Sequence, residues 1–336
     1  MVSAGSDTIL VTVVLPVRNE GRYIQSVLED LAGQSLSLDQ VEVLVVDGSS
    51  TDNTKAVAEN YRTVFPHFRI LDNPGRLASK ARNIGACAAQ GKYIAFVDGH
   101  CHIVSPTMLA DMVALFEKTG SDVLCRPQPL TMSPQSTFQK AVALARASTL
   151  GHALDSTIYS NRERPVRAAS SGAMYRREVF KTIGYFDESF DACEDVEFNT
   201  RADKAGLEAY ISPKLTVEYV ARRNLASLFK QLYRYGLGRW RLYRKHPSTL
   251  GEGALITAAF TFGVIFFPLT WMLSPKLGAL ASAIVVLYLL IVLITSLLIV
   301  RRKAAGWLIF YLPTIFFVIH FALGYGFLTG IMRSRT

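Results

Sequence analysis

Apolar and polar positions follow two different rhythms along the 336 residues. Through roughly the first 130 residues, short β-branched runs trade places with stretches whose apolar residues recur at helical spacing. TILVTVVLPV (8–17) predicts a strand and EGRYIQSVLEDLAGQ (20–34) a helix; VEVLVVD (41–47) predicts a strand and TKAVAENYRTVF (54–65) a helix. FRILDNP (68–74) and YIAFVDG (93–99) read as strands on either side of a small-residue helix, SKARNIGACAAQ (79–90). Further on, RAASSGAMYRREVF (167–180) reads as a strand followed by a helix, and EDVEFNTRADKAG has helical character. Alternation at this spacing predicts an α/β domain with a largely parallel sheet layered by helices. In such sheets ligands gather beyond the carboxyl ends of the strands.

The second rhythm is continuous. Three runs, 254–273, 277–300 and 306–330, contain no Lys, Arg, Asp or Glu. Each is close to or above the ~20 residues a helix needs to cross ~30 Å of hydrocarbon. Three transmembrane helices in a domain over 251–336 are therefore expected, with His320 inside the third, either functional or hydrogen-bonded to a neighbouring helix. Between Arg222 and Lys245 lie eight basic residues and no acidic one. Leu225, Leu228, Phe229 and Leu232 recur there at helical spacing, with Tyr233, Trp240 and Tyr243 nearby. That pattern predicts a basic amphipathic segment over 222–250 lying on anionic lipid headgroups. This cluster and Arg301–Lys303 then face the cytoplasm, with Arg333 and Arg335 a mild conflict. Met1 to Thr8 is short and polar and reads as no secretory signal.

Charge and cysteines narrow the picture. The net charge of +9 is carried by 222–245 (+8) and the chain from 251 onward (+5), which leaves the remainder near −4. A nucleic-acid binder with a basic face is excluded, so no nucleic-acid partner is expected. Cys87, Cys101, Cys125 and Cys193 form no CxxC pair, consistent with free thiols in a reducing cytoplasm. Neither a GxGxxG nor a Walker phosphate loop is present, which counts against dehydrogenases and P-loop ATPases. Three strand ends instead carry polar residues able to share one site: Asn19 and Glu20 after the first, Asp47 at the second, and Asp98 and His100 in VDGH. Together they suggest a site for a cation or a nucleotide. Asp52, in STDNT, reads as turn and cap chemistry.

VVLPVRNE, VLVVDGSSTDNT, SKARNIGACAAQGKYIAFVDGH and FDACEDVEFNTRADKAG stand in the order and spacing of the family-2 inverting glycosyltransferases, and residues 8 to 220 resemble that family. The resemblance implies a GT-A nucleotide-sugar-binding domain over 1–221 with a mixed, mostly parallel sheet. It implies that Asp47 bonds the nucleotide base, that Pro16, Val17, Asn19 and Glu20 border the nucleotide, and that Lys80, Arg82 or Arg76 approaches the diphosphate. Asp98 matches the first Asp of the family's DxD metal signature, whose third position here is His100. Mn²⁺ or Mg²⁺ is thus the implied cofactor, held by Asp98 and His100. Asp195 matches the catalytic base, with Glu194 beside it; both also suit a helix start. Ser171 and Gly172 fall where the family borders the acceptor. YGLGRW (235–240) resembles the QxxRW motif of processive synthases but has Gly236 for Gln, keeping Arg239 and Trp240, which favours single addition.

The three apolar runs and DGH together resemble the bacterial succinoglycan-type exopolysaccharide glucosyltransferases. That likeness implies an enzyme of the bacterial inner membrane with a cytoplasmic catalytic domain. It would transfer a hexose, glucose by this reading, from a UDP-sugar to a polyprenyl-diphosphate-linked saccharide, beside membrane lipids and other polysaccharide-assembly proteins. Two alternatives stay open: a polyprenyl-phosphate sugar synthase, and a non-catalytic nucleotide-sugar-binding subunit of an export complex.

Overall fold

The computed structural model describes residues 9–132, 135–152, 157–303 and 305–333. Met1 to Thr8 and Arg335, read above for a signal and for orientation, lie outside them. In chain order the first elements are β1 (Val11–Val17), α1 (Ile24–Ala32), β2 (Val41–Asp47), α2 (Thr54–Glu59), β3 (His67–Asp72), α3 (Ala78–Ala88) and β4 (Tyr93–Phe96). There follow β5 (Cys101–Ile103), α4 (Met108–Thr119), β6 (Val123–Cys125), α5 (Thr137–Arg146), β7 (Arg164–Val166), β8 (Gly172–Arg176), α6 (Glu178–Ile183) and α7 (Glu194–Lys204). The chain ends in β9 (Ala209–Ile211), β10 (Val217–Tyr219), α8 (Leu225–Lys245), α9 (Glu252–Leu273), α10 (Pro275–Lys303) and α11 (Leu312–Arg333). Two compact units result: residues 9–132 with 157–220, and residues 135–152 with 221–333.

The first unit is built on an eight-stranded sheet in the order β3-β2-β1-β4-β8-β6-β9-β7. β3, β2, β1 and β4 run parallel, while β8 is antiparallel to both β4 and β6. β2 is buried along its whole length, as expected of a strand covered on both faces. Its one interior charge, Glu42, is matched: its carboxylate accepts from Arg69 at 2.6 Å, Thr12 Oγ1 at 2.7 Å and the Gln90 amide at 2.9 Å. Side-chain alternation splits the core in two. Val11, Val13 and Leu15 of β1 pack with α1 and α4, whereas Val14 faces α3 with Leu44 and Val46. The small residues of α3 have a reason in this contact, since a Cβ on Gly85 would stand 2.2 Å from Val14 Cγ1.

The predicted helix over 54–65 stops at Glu59, and turns carry the chain to Pro66. Phe65 is buried there and stacks on Phe68. A helix running to 65 is also opposed by the following proline, which disfavours helical backbone at the residue before it.

In the second unit, α5 opens with a reciprocal cap between Ser136 and Gln139. The helices α9, α10 and α11 are each long and apolar enough to cross a membrane. Residues 306–310 of the third run form a separate 3₁₀ turn, and the long helix starts at Leu312. Along α8, Leu228 and Leu232 are buried on the side against which α11 packs, whereas Leu225 and Tyr235 stay exposed. The two backbones nearly touch, because a Cβ on Gly236 would meet Leu323 O at 2.1 Å and one on Gly326 would meet Tyr233 O at 2.1 Å. The eight basic residues of 222–245 remain exposed. His320 pairs with Leu150 O through Nε2 at 2.9 Å and with Tyr288 Oη through Nδ1 at 3.0 Å. A carbonyl only accepts, so Nε2 carries the proton and Nδ1 accepts from the tyrosine. His320 is a structural tie between α10, α11 and residue 150.

Candidate active site

Sheet order creates the site. β2 leaves β1 on one side and β4 leaves it on the other, so a crevice opens where β1, β2 and β4 end. Asp47, at the last position of β2, is 5% exposed. Its Oδ2 accepts from the Ser50 amide at 3.1 Å, while buried Oδ1 has no hydrogen-bond partner among the described residues. Beside it, the Asn73 amide donates to Asp47 O at 2.8 Å, and Asn73 Oδ1 is likewise buried and unmatched. Buried oxygens of this kind are costly unless a donor arrives. These two stand at the adjoining ends of β2 and β3, and a ligand bearing N–H groups would match both.

A charged network occupies the end of β4. Asp98 Oδ2 accepts from Tyr219 Oη at 2.7 Å, and Oδ1 lies 3.4 Å from Arg82 Nη2. Arg82 Nη1 also pairs with Glu194 Oε1. Burial raises the Asp98 carboxyl, but Arg82, His100 and the Tyr219 hydroxyl outweigh it and hold it below its ordinary value. Burial opposes the Arg82 charge, yet Glu194, Asp98 and Asp195 together raise it and keep it cationic. Glu194 moves upward: burial raises it, Arg82 pulls it back, and the charge of Asp195 adds to the rise. Burial and Asp98 push the Tyr219 phenol well above its usual range.

Glu20 reaches across from β1 to His100, with Oε1 3.0 Å from Nδ1. A carboxylate on one imidazole nitrogen is the arrangement that orients a metal-ligating histidine. Carboxylate and imidazole donors suit Mn²⁺, so Asp98 and His100 fit a divalent ion in donor chemistry. Among the described residues no three His, Cys, Asp or Glu side chains converge on one point. A divalent ion there would be held by Asp98 and His100 and would need further oxygen donors from outside the protein.

Asp195 stands exposed in the first turn of α7, its Oδ1 accepting from the Val196 amide at 2.8 Å. Cys193, just before the helix, has φ of 64°, and Asn19 and Ser49, each two residues past the end of β1 and β2, have φ of 56°. Non-glycine residues rarely hold this conformation, and here each stands within two residues of an acid of the site: Glu20, Asp47 and Asp195. Asn19 also ties two strand ends together: its Oδ1 accepts from the Thr51 amide at 2.8 Å. Asp52 plays the turn role read from the sequence, accepting from the amides of Thr54 and Gly21.

Pro16 and Val17 pair with Val46 and Asp47 in the parallel register. Lys80 is half-exposed, 3.5 Å from Glu188. Arg76 is exposed with φ of 61°. Ser171 is buried, and Gly172 opens β8, where its carbonyl accepts from Asn199 at 2.9 Å. Arg239 and Trp240 belong to the second unit. There Arg239 is exposed, and the Trp240 ring lies edge-on to Phe327 and 2.6 Å from where a Gly330 Cβ would sit. Gly236, which breaks the QxxRW pattern, is the residue that admits α11.

Three residues of the site escaped the sequence reading: Asn73, Tyr219 and Arg126. Each follows or ends a short strand, and the search for acids at strand ends passed over amide, phenol and guanidinium groups. Tyr219 further depends on β10 pairing with β5, which sets it opposite Cys101.

Comparison with known proteins follows the same lines. The model of the family described as glycosyl transferase family 2 matches residues 12–184. The succinoglycan biosynthesis protein ExoA of Rhizobium meliloti (strain 1021) is 32% identical over 285 residues, spanning 81% of this chain and 82% of that protein. The dolichyl N-acetyl-alpha-D-glucosaminyl phosphate 3-beta-D-2,3-diacetamido-2,3-dideoxy-beta-D-glucuronosyltransferase of Methanococcus voltae is 23% identical, spanning 97% of this chain and 98% of that one. Among solved structures, the mannosyltransferase PcManGT of Pyrobaculum calidifontis, in complex with GDP-Man and Mn²⁺, shares the fold. Its TM-score is 0.62 at 18% identity, over 96% of this chain and 87% of that chain.

Proposed function

Because the chain belongs to glycosyl transferase family 2, we propose that it moves a hexose, glucose in our reading, from a UDP-sugar to a polyprenyl-diphosphate-linked saccharide with inversion. The observation that carries this is the pair of unmatched buried oxygens on Asp47 and Asn73 beside the Asp98–Arg82–Glu194 network. A base needing N–H acceptors and a diphosphate needing positive charge both find their chemistry at one crevice. Relatives named for succinoglycan biosynthesis and for a dolichyl-phosphate-linked sugar support a lipid-borne acceptor. Anchoring through α9–α11 at the inner membrane, with the first unit cytoplasmic, would raise the enzyme's effective concentration beside that acceptor.

In this reading Asp195 takes the proton of the acceptor hydroxyl as its oxygen attacks the anomeric carbon. The bond from that carbon to the diphosphate oxygen breaks, and UDP leaves from the opposite face. Glu194 and Asp98 fix Arg82 between them. Ser171 and Gly172 border the acceptor. A divalent ion held by Asp98 and His100 would neutralise charge on the diphosphate.

Membranes carrying the chain, offered labelled UDP- and GDP-sugars with and without Mn²⁺ or Mg²⁺, should label an acid-labile diphosphate-linked lipid from one UDP-hexose only when metal is present. Label in a lipid monophosphate would replace this reading with a polyprenyl-phosphate sugar synthase; no label, with UDP bound and acceptor lipid intact, would replace it with a binding subunit. A second expectation isolates the base contact. Asp47→Ala weakens uridine binding roughly tenfold or more by calorimetry, the worth of a buried charge-assisted hydrogen bond. Unchanged uridine affinity removes Asp47 from base recognition.

A further inference from the structure

One buried cation near the crevice has no counter-charge in contact among the described residues. Arg126 directly follows β6 and is 2% exposed. Its Nη2 donates to Tyr219 Oη at 3.3 Å, whereas buried Nε and Nη1 have no hydrogen-bond partner among the described residues. The phenol proton is committed to Asp98 Oδ2 at 2.7 Å, so Tyr219 accepts from Arg126 with a lone pair. Asp98 is therefore approached by guanidinium groups on both oxygens, directly by Arg82 and through Tyr219 by Arg126. Only Arg82 has a carboxylate of its own to satisfy it.

A guanidinium does not lose its proton, and burying it with N–H groups unmatched is unfavourable. The fold nevertheless holds it in place. The Arg126 amide donates to Ser171 O at 3.3 Å, and the next residue is pinned from the other side by the Val217 amide on Pro127 O at 3.3 Å. The residue thus stands between Ser171, at the start of β8, and Tyr219, at the end of β10.

We propose that Arg126 is a phosphate-binding residue, its unmatched N–H groups reserved for the phosphoryl oxygens of a substrate diphosphate. This rests on the reading above, in which two diphosphates enter the site: that of the donor nucleotide and that of the acceptor lipid. Guanidinium is the side chain best matched to either.

The experiment compares the purified full chain with Arg126→Met and Arg126→Lys by titration against two ligand pairs. The pairs are UDP with uridine, and farnesyl diphosphate with farnesol. If Arg126 grips the donor, Arg126→Met weakens UDP by roughly 10- to 100-fold, as expected for charged hydrogen bonds, and leaves uridine unchanged. If it grips the acceptor, farnesyl diphosphate is the ligand that loses affinity, with farnesol and UDP unaffected. Arg126→Lys retains part of the affinity in either case. Thermal stability of the Met variant should be equal to or above that of wild type, because an unmatched charge has been replaced by an apolar chain. Affinity for both diphosphates equal to that of wild type overturns the proposal, as does equal weakening of each diphosphate and its phosphate-free partner. Binding, not turnover, is read in both arms. A wild-type chain that transfers no sugar therefore refutes the function proposed above, while these titrations still decide the role of Arg126.

Discussion

Asp195→Asn lowers the rate of sugar transfer by about 10³-fold, within the 10²–10⁴ that a positioned general base contributes, and leaves UDP affinity as it was. The asparagine keeps shape and volume, and its side-chain oxygen can still accept from the Val196 amide, as Asp195 Oδ1 does at 2.8 Å. What it lacks is a site for the proton that the acceptor hydroxyl must lose. Asp195 suits the task better than its neighbour for a geometric reason. Glu194 is buried and committed to Arg82, whereas Asp195 is exposed at the mouth of the crevice on the first turn of α7. A helix gives the base a rigid mount, and the left-handed Cys193 before it sets the direction in which α7 departs. Single-turnover transfer from labelled UDP-sugar, alongside UDP titration, separates the two effects. A loss below tenfold would move the base elsewhere, and equal damage to UDP binding would point to a disturbed site.

Residues close in sequence were the legible ones. β2 was readable to the residue because its apolar run, interrupted at Glu42 alone, ends at Asp47. The meeting of three strand ends followed from alternating strands and helices, since parallel strands joined by crossovers share one active edge. The capping box that opens α5 was also available in Ser136 and Gln139, yet the stretch went unassigned because no long apolar period surrounds it. Partnerships made at a distance in the chain were not legible. The apolar stripe of α8 announced that something packs on it; that α11 does so rests on glycines 236 and 326 meeting across about ninety residues. In the same way, Tyr219 gains its role from a short strand pairing with residue 101, and Arg126 only then becomes a buried cation beside Asp98.

Arg82→Met destabilises the first unit by about 3–5 kcal/mol, the usual consequence of removing one partner from a buried ion pair. The cost lies less in the lost attraction than in what stays behind. Glu194 would be left buried without the cation that pairs with it while Asp195 repels it, and Asp98 would lose its direct guanidinium partner while keeping the Tyr219 hydroxyl and the charges of His100 and Arg126. Glu194 already protonates more readily than an ordinary glutamate, so the single variant escapes part of its penalty by taking up a proton. The double variant Arg82→Met/Glu194→Gln should therefore recover much of the loss, with a coupling on the order of 1–3 kcal/mol expected for residues in direct contact. Chemical denaturation of the wild type, both single variants and the double variant measures that coupling. Additive losses would mean that Arg82 stabilises the unit through its packing on Phe186, 5.8 Å from the ring centre, and not through the pair. Recovery of stability without recovery of transfer would separate the two duties of this residue: holding Glu194 in the fold, and presenting Asp98 in the geometry that the leaving diphosphate requires.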